Sequence, residues 1–497
     1  MPKHRLGAAL ALALLFCATA DAHAFGFAPE IRVPSHGEAE SVAIGDVSGD
    51  GRDDLVVATN AYFANAWSNH ALIHVQQADG RLAQPVAVPY TTTYGSPRGL
   101  ALADLDADGV LDIAVGHAGG LALLRRDGTG GFSLRTVATN RSGNVLARLD
   151  VDRNGVDDIV ALSNGGPATI HYGDGFGGIA SQQTLGTQSG GFNDLKIGDL
   201  DGNGFDDLAI MSSYSYSVPN LTVYRSDGMA GWLASQNYFV GTNELTAGLA
   251  VGDFDDDGRD DAILSRGRNS PTWLWRYRQD ANGQLQATAT LPSYDIPSTL
   301  QAVDLDRDGR DDVAVLHSGW SRLGLYLQGS AGLGAEQLVT IPYQSHYTPQ
   351  GLAFGDLDGD GCTDAAIALN GDGVSVLAGR GCAPTADLAV AIRAEARKTV
   401  AVDVSHLGGT AAGKADVAIE FRARVFGRIV APANCVAQPS VGRVQAYRCT
   451  TETLRAGASE TLRFALGISS VTVSADVASD APDPDESNNA AIANLRF

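Results

Sequence analysis

Seven times in this 497-residue chain, oxygen-bearing side chains fall at positions 1, 3, 5 and 9 of a nine-residue phrase that carries glycine at position 6. The phrases open at Asp46, Asp104, Asp150, Asp199, Asp253, Asp304 and Asp356. Position 3 is Ser48, Asp106, Asp152, Asp201, Asp255, Asp306 and Asp358. Position 5 is Asp50, Asp108, Asn154, Asn203, Asp257, Asp308 and Asp360. Position 9 is always aspartate: Asp54, Asp112, Asp158, Asp207, Asp261, Asp312 and Asp364. Alternate oxygens on a tight loop suit a hard cation, which takes several oxygen ligands. The glycines (Gly51, Gly109, Gly155, Gly204, Gly258, Gly309 and Gly361) fit a sharp turn with positive φ.

Position 7 varies freely: Arg52, Val110, Val156, Phe205, Arg259, Arg310 and Cys362. Such variety is what a backbone-carbonyl ligand permits, because its side chain never meets the ion. An EF-hand is excluded, since it needs glutamate at position 12 and flanking helices. Position 12 here is Val57, Val115, Ala161, Ile210, Leu264, Val315 and Ile367, each inside a short β-type run. These loops therefore predict up to seven Ca²⁺ sites. A single Asp-x-Asp-x-Asp-Gly can be a plain polar turn; seven in one register read as one supersecondary unit reused. The spacings run from 46 to 58 residues, a period of roughly 52, which points to a propeller or a comparable array.

The phrases AIGDVSGDGRDDLVVA and AFGDLDGDGCTDAAIA, with Gly-Phe or Gly-Gly-Phe recurring after the repeats, resemble FG-GAP/VCBS repeats. That resemblance implies an integrin-α-like β-propeller with calcium in the loop between the first two strands of each blade, over residues 25–382. Each repeat carries four strand signals; in the first they are Ser41–Asp46, Asp54–Thr59, Ala71–Gln76 and Pro85–Pro89. The seventh repeat stops at Ala378 without a fourth strand, and Phe25–Val33 resembles the missing one. Closing the ring would remove exposed sheet edges.

From about Thr385 the period disappears. Seven short strand signals between residues 387 and 497 suit a β-sandwich. Asp483-Pro-Asp-Glu-Ser-Asn-Asn489, with Leu454-Arg-Ala-Gly457, resembles the Ig-like CARDB-type bacterial module over residues 385–497. The expected fold class is thus all-β: a seven-bladed β-propeller plus a C-terminal Ig-like β-sandwich.

The formal net charge is −22, and 31 of the 57 acidic residues lie in the seven loops. The acidity is local, and it argues against nucleic acid as a partner, because phosphate binding wants a basic surface. Residues 1–24 read as a secretory signal: Lys3 and Arg5, then an apolar run from Leu6 to Phe16, then cleavage sites at Ala20-Asp-Ala22 or Ala22-His-Ala24. A lipoprotein reading would use Cys17, but bulky Phe16 precedes it. No later apolar run is long enough to span a membrane. Four cysteines remain after cleavage. Cys362 and Cys382 flank the turn at Asp372 symmetrically, and Cys435 and Cys449 flank Gly442, so two hairpins predict the pairs 362–382 and 435–449. Disulfides suit an oxidising, extracytoplasmic compartment, whether secreted, cell surface or periplasm.

No catalytic constellation stands out: there is no His-Glu-x-x-His and no Gly-x-Ser-x-Gly. Gly173-Asp-Gly-Phe-Gly-Gly178 fits a dinucleotide pattern but has no helix after it, so a strand turn is the better reading. Aromatic residues gather in the loops expected opposite the calcium rim: Tyr62, Phe63, Trp67, Tyr214, Tyr216, Trp273 and Trp320, with Tyr90, Tyr94, Tyr294 and Tyr347 on the links between repeats. Such residues suit partner binding or sugar stacking, or else packing between blades. The expected function is a non-catalytic adhesion or ligand-binding module for an extracellular protein or glycan. The rival readings are a carbohydrate-active enzyme such as a polysaccharide lyase, and a structural spacer of a surface assembly.

Overall fold

The computed structural model describes residues 25–497 apart from 61–65, 91–98, 118, 128–129, 139–142, 164–166, 187–191, 213–219, 230, 241–245, 344–348, 370–371, 383–386, 397, 409–413, 424–427, 440–442, 452–453, 455–457, 469 and 479–487. The signal-like segment 1–24 lies outside the described residues. All the long regular elements are antiparallel strands.

Each repeat makes one small sheet whose strands follow chain order. In the second repeat they are Gly99–Ala103, Asp112–His117, Gly120–Arg126 and Phe132–Ala138. The second strands, such as Asp54–Thr59, Asp112–His117, Asp207–Ser212 and Asp312–His317, are buried along their whole length. Their sequences are runs of Val, Ile, Leu and Ala, which suits a strand covered on both faces.

The alternation of side chains along these strands sets the packing. Val56 and Ala58 share a cluster with Ile113 and Val115 of the second sheet. Leu55 and Val57 point the other way, into a cluster with Ala366 and Ala368 of the seventh. The same division recurs between sheets two and three, three and four, four and five, five and six, and six and seven. Seven sheets therefore meet across seven hydrophobic clusters among the described residues, and the last cluster returns to the first sheet. The outermost strands, by contrast, are largely exposed, as in Ile179–Leu185.

The strand Ile31–Gly45 belongs to two sheets. Ile31–Val33 pairs with Val376–Val374 as the fourth strand of the seventh sheet, and Ala39–Gly45 then opens the first. Gly26–Phe27 pairs with Gly379–Arg380, and Phe25 is buried in the cluster between sheets six and seven. The fourth strand missing from the seventh repeat thus comes from the other end of the chain.

Residues 387–497 form two further antiparallel sheets. One orders Asp387–Glu395, Thr399–Gly408, Ser459–Leu466 and Ile429–Val430. The other orders Cys435–Ala437, Val444–Thr450, Asp416–Arg422, Ser470–Ala478 and Ala490–Arg496. Strict alternation along Asp416–Arg422 puts Val417, Ile419 and Phe421 inside. These join Tyr447 and Phe464 in one core made only of residues from this part of the chain. The short strands Ile429–Val430 and Cys435–Ala437 carry too few residues to be legible as strands in the sequence. Both disulfides form, Cys362–Cys382 and Cys435–Cys449. The second joins directly opposed residues of neighbouring strands.

Candidate metal centres

Each nine-residue loop links the first and second strands of its sheet, and all seven are built alike. The position-1 carboxylate accepts the position-6 glycine N–H through Oδ2, from 2.7 Å at Gly51 to Asp46 up to 3.0 Å at Gly309 to Asp304. The other five loops repeat that bond. The seven glycines have φ between 78° and 85°. Position 4 is also left-handed in every loop, at Gly49, Ala107, Arg153, Gly202, Asp256, Arg307 and Gly359, with φ between 57° and 73°. Sequence reasoning missed this second turn; glycine in three of the seven loops was its only signal. In six loops the position-5 side chain accepts the position-7 N–H, as in Val110 to Asp108 at 2.9 Å.

The position-9 aspartates enter the second strands and are buried. Asp312 accepts the Leu305 N–H at 2.9 Å through Oδ2 and the Gln328 N–H at 2.7 Å through Oδ1, bracing the loop against the chain just past the third strand, Arg322–Tyr326. Asp54, Asp158, Asp207 and Asp364 accept the equivalent pair of N–H groups. Burial pushes these carboxyls up, with neighbouring loop aspartates adding to it. Asp112, Asp207, Asp312 and Asp364 reach about 7, and Asp54, Asp158 and Asp261 about 6.

Ligand-type oxygens converge in these loops. One oxygen from each of Asp104, Asp106 and Asp108 lies within 4.8 Å of the others, and the same holds in the loops at Asp150, Asp199, Asp253 and Asp304. Asp106 Oδ1, Asp255 Oδ1, Asp257 Oδ1 and Asp306 Oδ1 are buried without a hydrogen-bond partner. Leaving such an atom unpaired is costly, and a cation would satisfy it. The donor set is all oxygen, which suits calcium or magnesium over softer metals. Arginines close over the outer carboxylates: Arg125 on Asp106 at 2.6 Å, Arg278 on Asp255 and Asp257 at 2.7 and 2.6 Å, and Arg380 on Asp358 at 2.8 Å. Arg52 and Arg259 pair with Asp50 and Asp257 in their own loops.

The loops also touch one another in a closed circuit. The N–H groups of Asp104, Asp199, Asp253 and Asp356 donate to Asp157, Asp260, Asp311 and Asp53, each at position 8 of the next loop, at 2.8–2.9 Å. Thr363 Oγ1 donates to the Asp304 carbonyl at 2.9 Å, and the Leu111 N–H to the Asp46 carbonyl at 3.3 Å. Arg153 lies 3.4 Å over the Phe205 ring and completes the seven links. Glycine before position 1 makes room for this contact: a Cβ on Gly198 or Gly252 would lie 2.5 Å from Asp260 or Asp311 Oδ2.

At the far ends of the second strands the aromatic side chains divide. Tyr90 is 1% exposed and donates its hydroxyl to the Thr59 carbonyl, so it packs and does not present. The Trp67 ring lies 5.0 Å from His36, and the Trp273 ring lies under Arg266 at 3.9 Å. Trp320 is 44% exposed, with Tyr294 edge-on at 6.5 Å. Tyr62, Phe63, Tyr94, Tyr214, Tyr216 and Tyr347 lie outside the described residues. The Tyr294 turn is pinned from below. Its N–H donates to Glu336 at 2.7 Å, Glu336 meets His317 Nε2 at 2.9 Å, and His317 Nδ1 donates to the Asp295 carbonyl at 2.9 Å. Ile296 in that turn takes φ 47°, which a β-branched residue adopts only when its surroundings hold it. Sequence reasoning passed over His317 and Glu336 because they lie 19 positions apart, His317 at the end of the strand Asp312–His317 and Glu336 just before the strand Gln337–Thr340.

Between the inner strands is a cavity of about 430 Å³. The Gln350 side chain reaches across from the seventh repeat. It accepts the N–H groups of Leu100 and Leu146 and donates to both their carbonyls, at 2.7–3.0 Å. The dinucleotide-like stretch at Gly173 is a hairpin turn, with Asp174 accepting from Phe176 and Gly178.

The family described as FG-GAP-like repeat matches residues 253–315 and 304–367. Among solved structures, the chain is similar to an Agrocybe aegerita lectin described for specific recognition of non-reducing terminal N-acetylglucosamine. The identity is 17% and the TM-score 0.46, over 68% of this chain and 85% of that one. No curated protein matches. The chain thus carries FG-GAP-like repeats within an all-β fold. Among the described residues no helix is long and apolar enough to cross a membrane.

Proposed function

We propose that the chain is a secreted, calcium-stabilised seven-bladed β-propeller followed by an Ig-like β-sandwich. It works as a non-catalytic adhesion or ligand-binding module for an extracellular protein or glycan. Each calcium would be held by positions 1, 3, 5 and 9 of a loop and the position-7 carbonyl. The ion would supply charge neutralisation and a fixed loop backbone, leaving the opposite rim to meet the partner. The two disulfides suit export to an oxidising compartment.

The observation that carries the reading is Trp320, exposed beside Tyr294 on a turn held by buried His317 and its partner Glu336. A large aromatic face on a rigid support is what a binding hot spot uses. The test is a glycan-array and pull-down screen with and without calcium, repeated with Trp320→Ala. We expect at least a tenfold loss of binding for the variant with its calcium-dependent melting unchanged. Unchanged binding would remove this rim as the partner surface. The packing of Trp67 on His36 and of Trp273 under Arg266 favours a second reading, a structural spacer. In that case the same screen would return no ligand.

A further inference from the structure

The seventh loop differs from the other six in one covalent respect. Its position 7 is Cys362, which is buried and bonded to Cys382, 20 residues further on. The Cys362 N–H donates to Asp360 Oδ1 at 2.9 Å, so the sulfur is one residue's backbone away from a loop carboxylate. The other end of the staple, Cys382, follows the strand Gly379–Arg380. The Gly379 N–H donates to Asp364 Oδ1 at 2.7 Å, and the Arg380 guanidinium holds Asp358 and Asp360 at 2.8 and 2.5 Å. That strand pairs with Gly26–Phe27, and the Ala28 N–H donates to the Ala378 carbonyl at 2.8 Å. One disulfide therefore ties together the carboxylates of the seventh loop, the last strand of the ring and the N-terminal strand that completes it.

We propose that the Cys362–Cys382 bond and calcium binding in the seventh loop are coupled, which makes this loop a redox-sensitive calcium site at the seam of the ring. The inference rests on the calcium reading above. Opening the bond takes a dithiol reductant. One of its thiolates attacks the sulfur of one cysteine, forming a mixed disulfide and releasing the other cysteine as a thiolate. The second thiol, as thiolate, then attacks the reductant's own sulfur in that mixed disulfide and releases the first cysteine. Two electrons and two protons pass to Cys362 and Cys382, and the reductant leaves as its own cyclic disulfide. Cys362 then loses the anchor that holds its backbone, and with it the position-7 carbonyl, against the loop. By linkage, whatever the staple adds to ion affinity, the ion adds to the staple's resistance to reduction.

The test uses the full chain, whose second disulfide, Cys435–Cys449, lies outside the seven-sheet ring and serves as an internal control. Dithiothreitol reduction is followed by alkylation and mass spectrometry with chelator or with calcium at ten times its dissociation constant, and calcium binding to the same preparation is measured by calorimetry. Calcium is expected to slow reduction of Cys362–Cys382 about tenfold, in line with the ligand factor at that concentration, and to leave Cys435–Cys449 unchanged. Asp358→Asn should return the Cys362–Cys382 rate to its chelated value. The Cys362→Ser/Cys382→Ser variant should bind calcium at one site about tenfold more weakly; if it does not fold, the rates on the native chain decide. Equal reduction rates while calorimetry records bound calcium would overturn the coupling and leave the calcium reading standing. Full protection in Asp358→Asn would assign the effect to the other six loops and also overturn it. No bound calcium at all would overturn both.

Discussion

The position-9 aspartates do two jobs that pull against each other. Each braces its loop through backbone N–H groups, yet burial raises its carboxyl to about 6 or 7. With calcium chelated, the folded chain keeps protons that the unfolded chain has already released. Stability should then fall as pH rises from near the ordinary carboxylate value through about 7, and level off above. Calcium must displace those protons, so its stabilisation should grow over the same window. Calorimetry at pH 5 and 7.5, with EDTA and with calcium, would check both signs; a calcium effect larger at pH 5 would contradict them. The glycines separate by mechanism at the same scale. A Cβ on Gly258 meets open space, so Gly258→Ala should cost only the left-handed φ, about 1–2 kcal/mol. Gly252→Ala drives a methyl into the Asp311 carboxylate and breaks its bond to Asp253, so it should cost clearly more in urea unfolding.

Among the elements, the second strands organise the ring because their two faces serve different neighbours. Val56 and Leu55 differ by one residue and by which sheet they hold. The N-terminal strand is the element on which closure depends. Its Phe25 is buried among Leu305, Leu316 and Ile367, residues of the sixth and seventh repeats. Phe25→Ala should cost about 3–5 kcal/mol, the usual range for a buried aromatic. Denaturant titration checks the magnitude, and a loss below 1 kcal/mol would mean that the strand is not part of the cooperative ring.

For the whole molecule, two separate cores imply two responses to calcium. Extracellular-type sites bind at about 10⁻⁴–10⁻³ M. At ten times that concentration each adds roughly 1.4 kcal/mol. Seven such sites would add on the order of 10 kcal/mol, comparable to the stability of a domain. EDTA should therefore lower the melting temperature of the seven-sheet unit sharply and leave the unit around Phe421 and Phe464 unchanged. A scan in which both transitions moved together, or neither moved, would contradict this.

The sequence by itself determined the features that depend on short-range sterics and spacing. The loop register, the left-handed glycine at position 6, the second-strand runs and both cysteine pairings were legible because a turn and its flanking residues are set locally. The resemblance of Phe25–Val33 to an outer strand was legible too, although its partner lies some 340 residues away. What only the tertiary structure decided depends on residues that closure brings together. The Asp356 N–H finds Asp53, 303 positions earlier, and Gln350 meets Leu100 and Leu146 across the ring. The same holds for the aromatic side chains: Tyr90 is packed away while Trp320 stays open. Nothing local distinguishes two aromatic loop residues. Their exposure is settled by the neighbouring strand that does or does not cover them, and that neighbour is assigned only when the sheets stack.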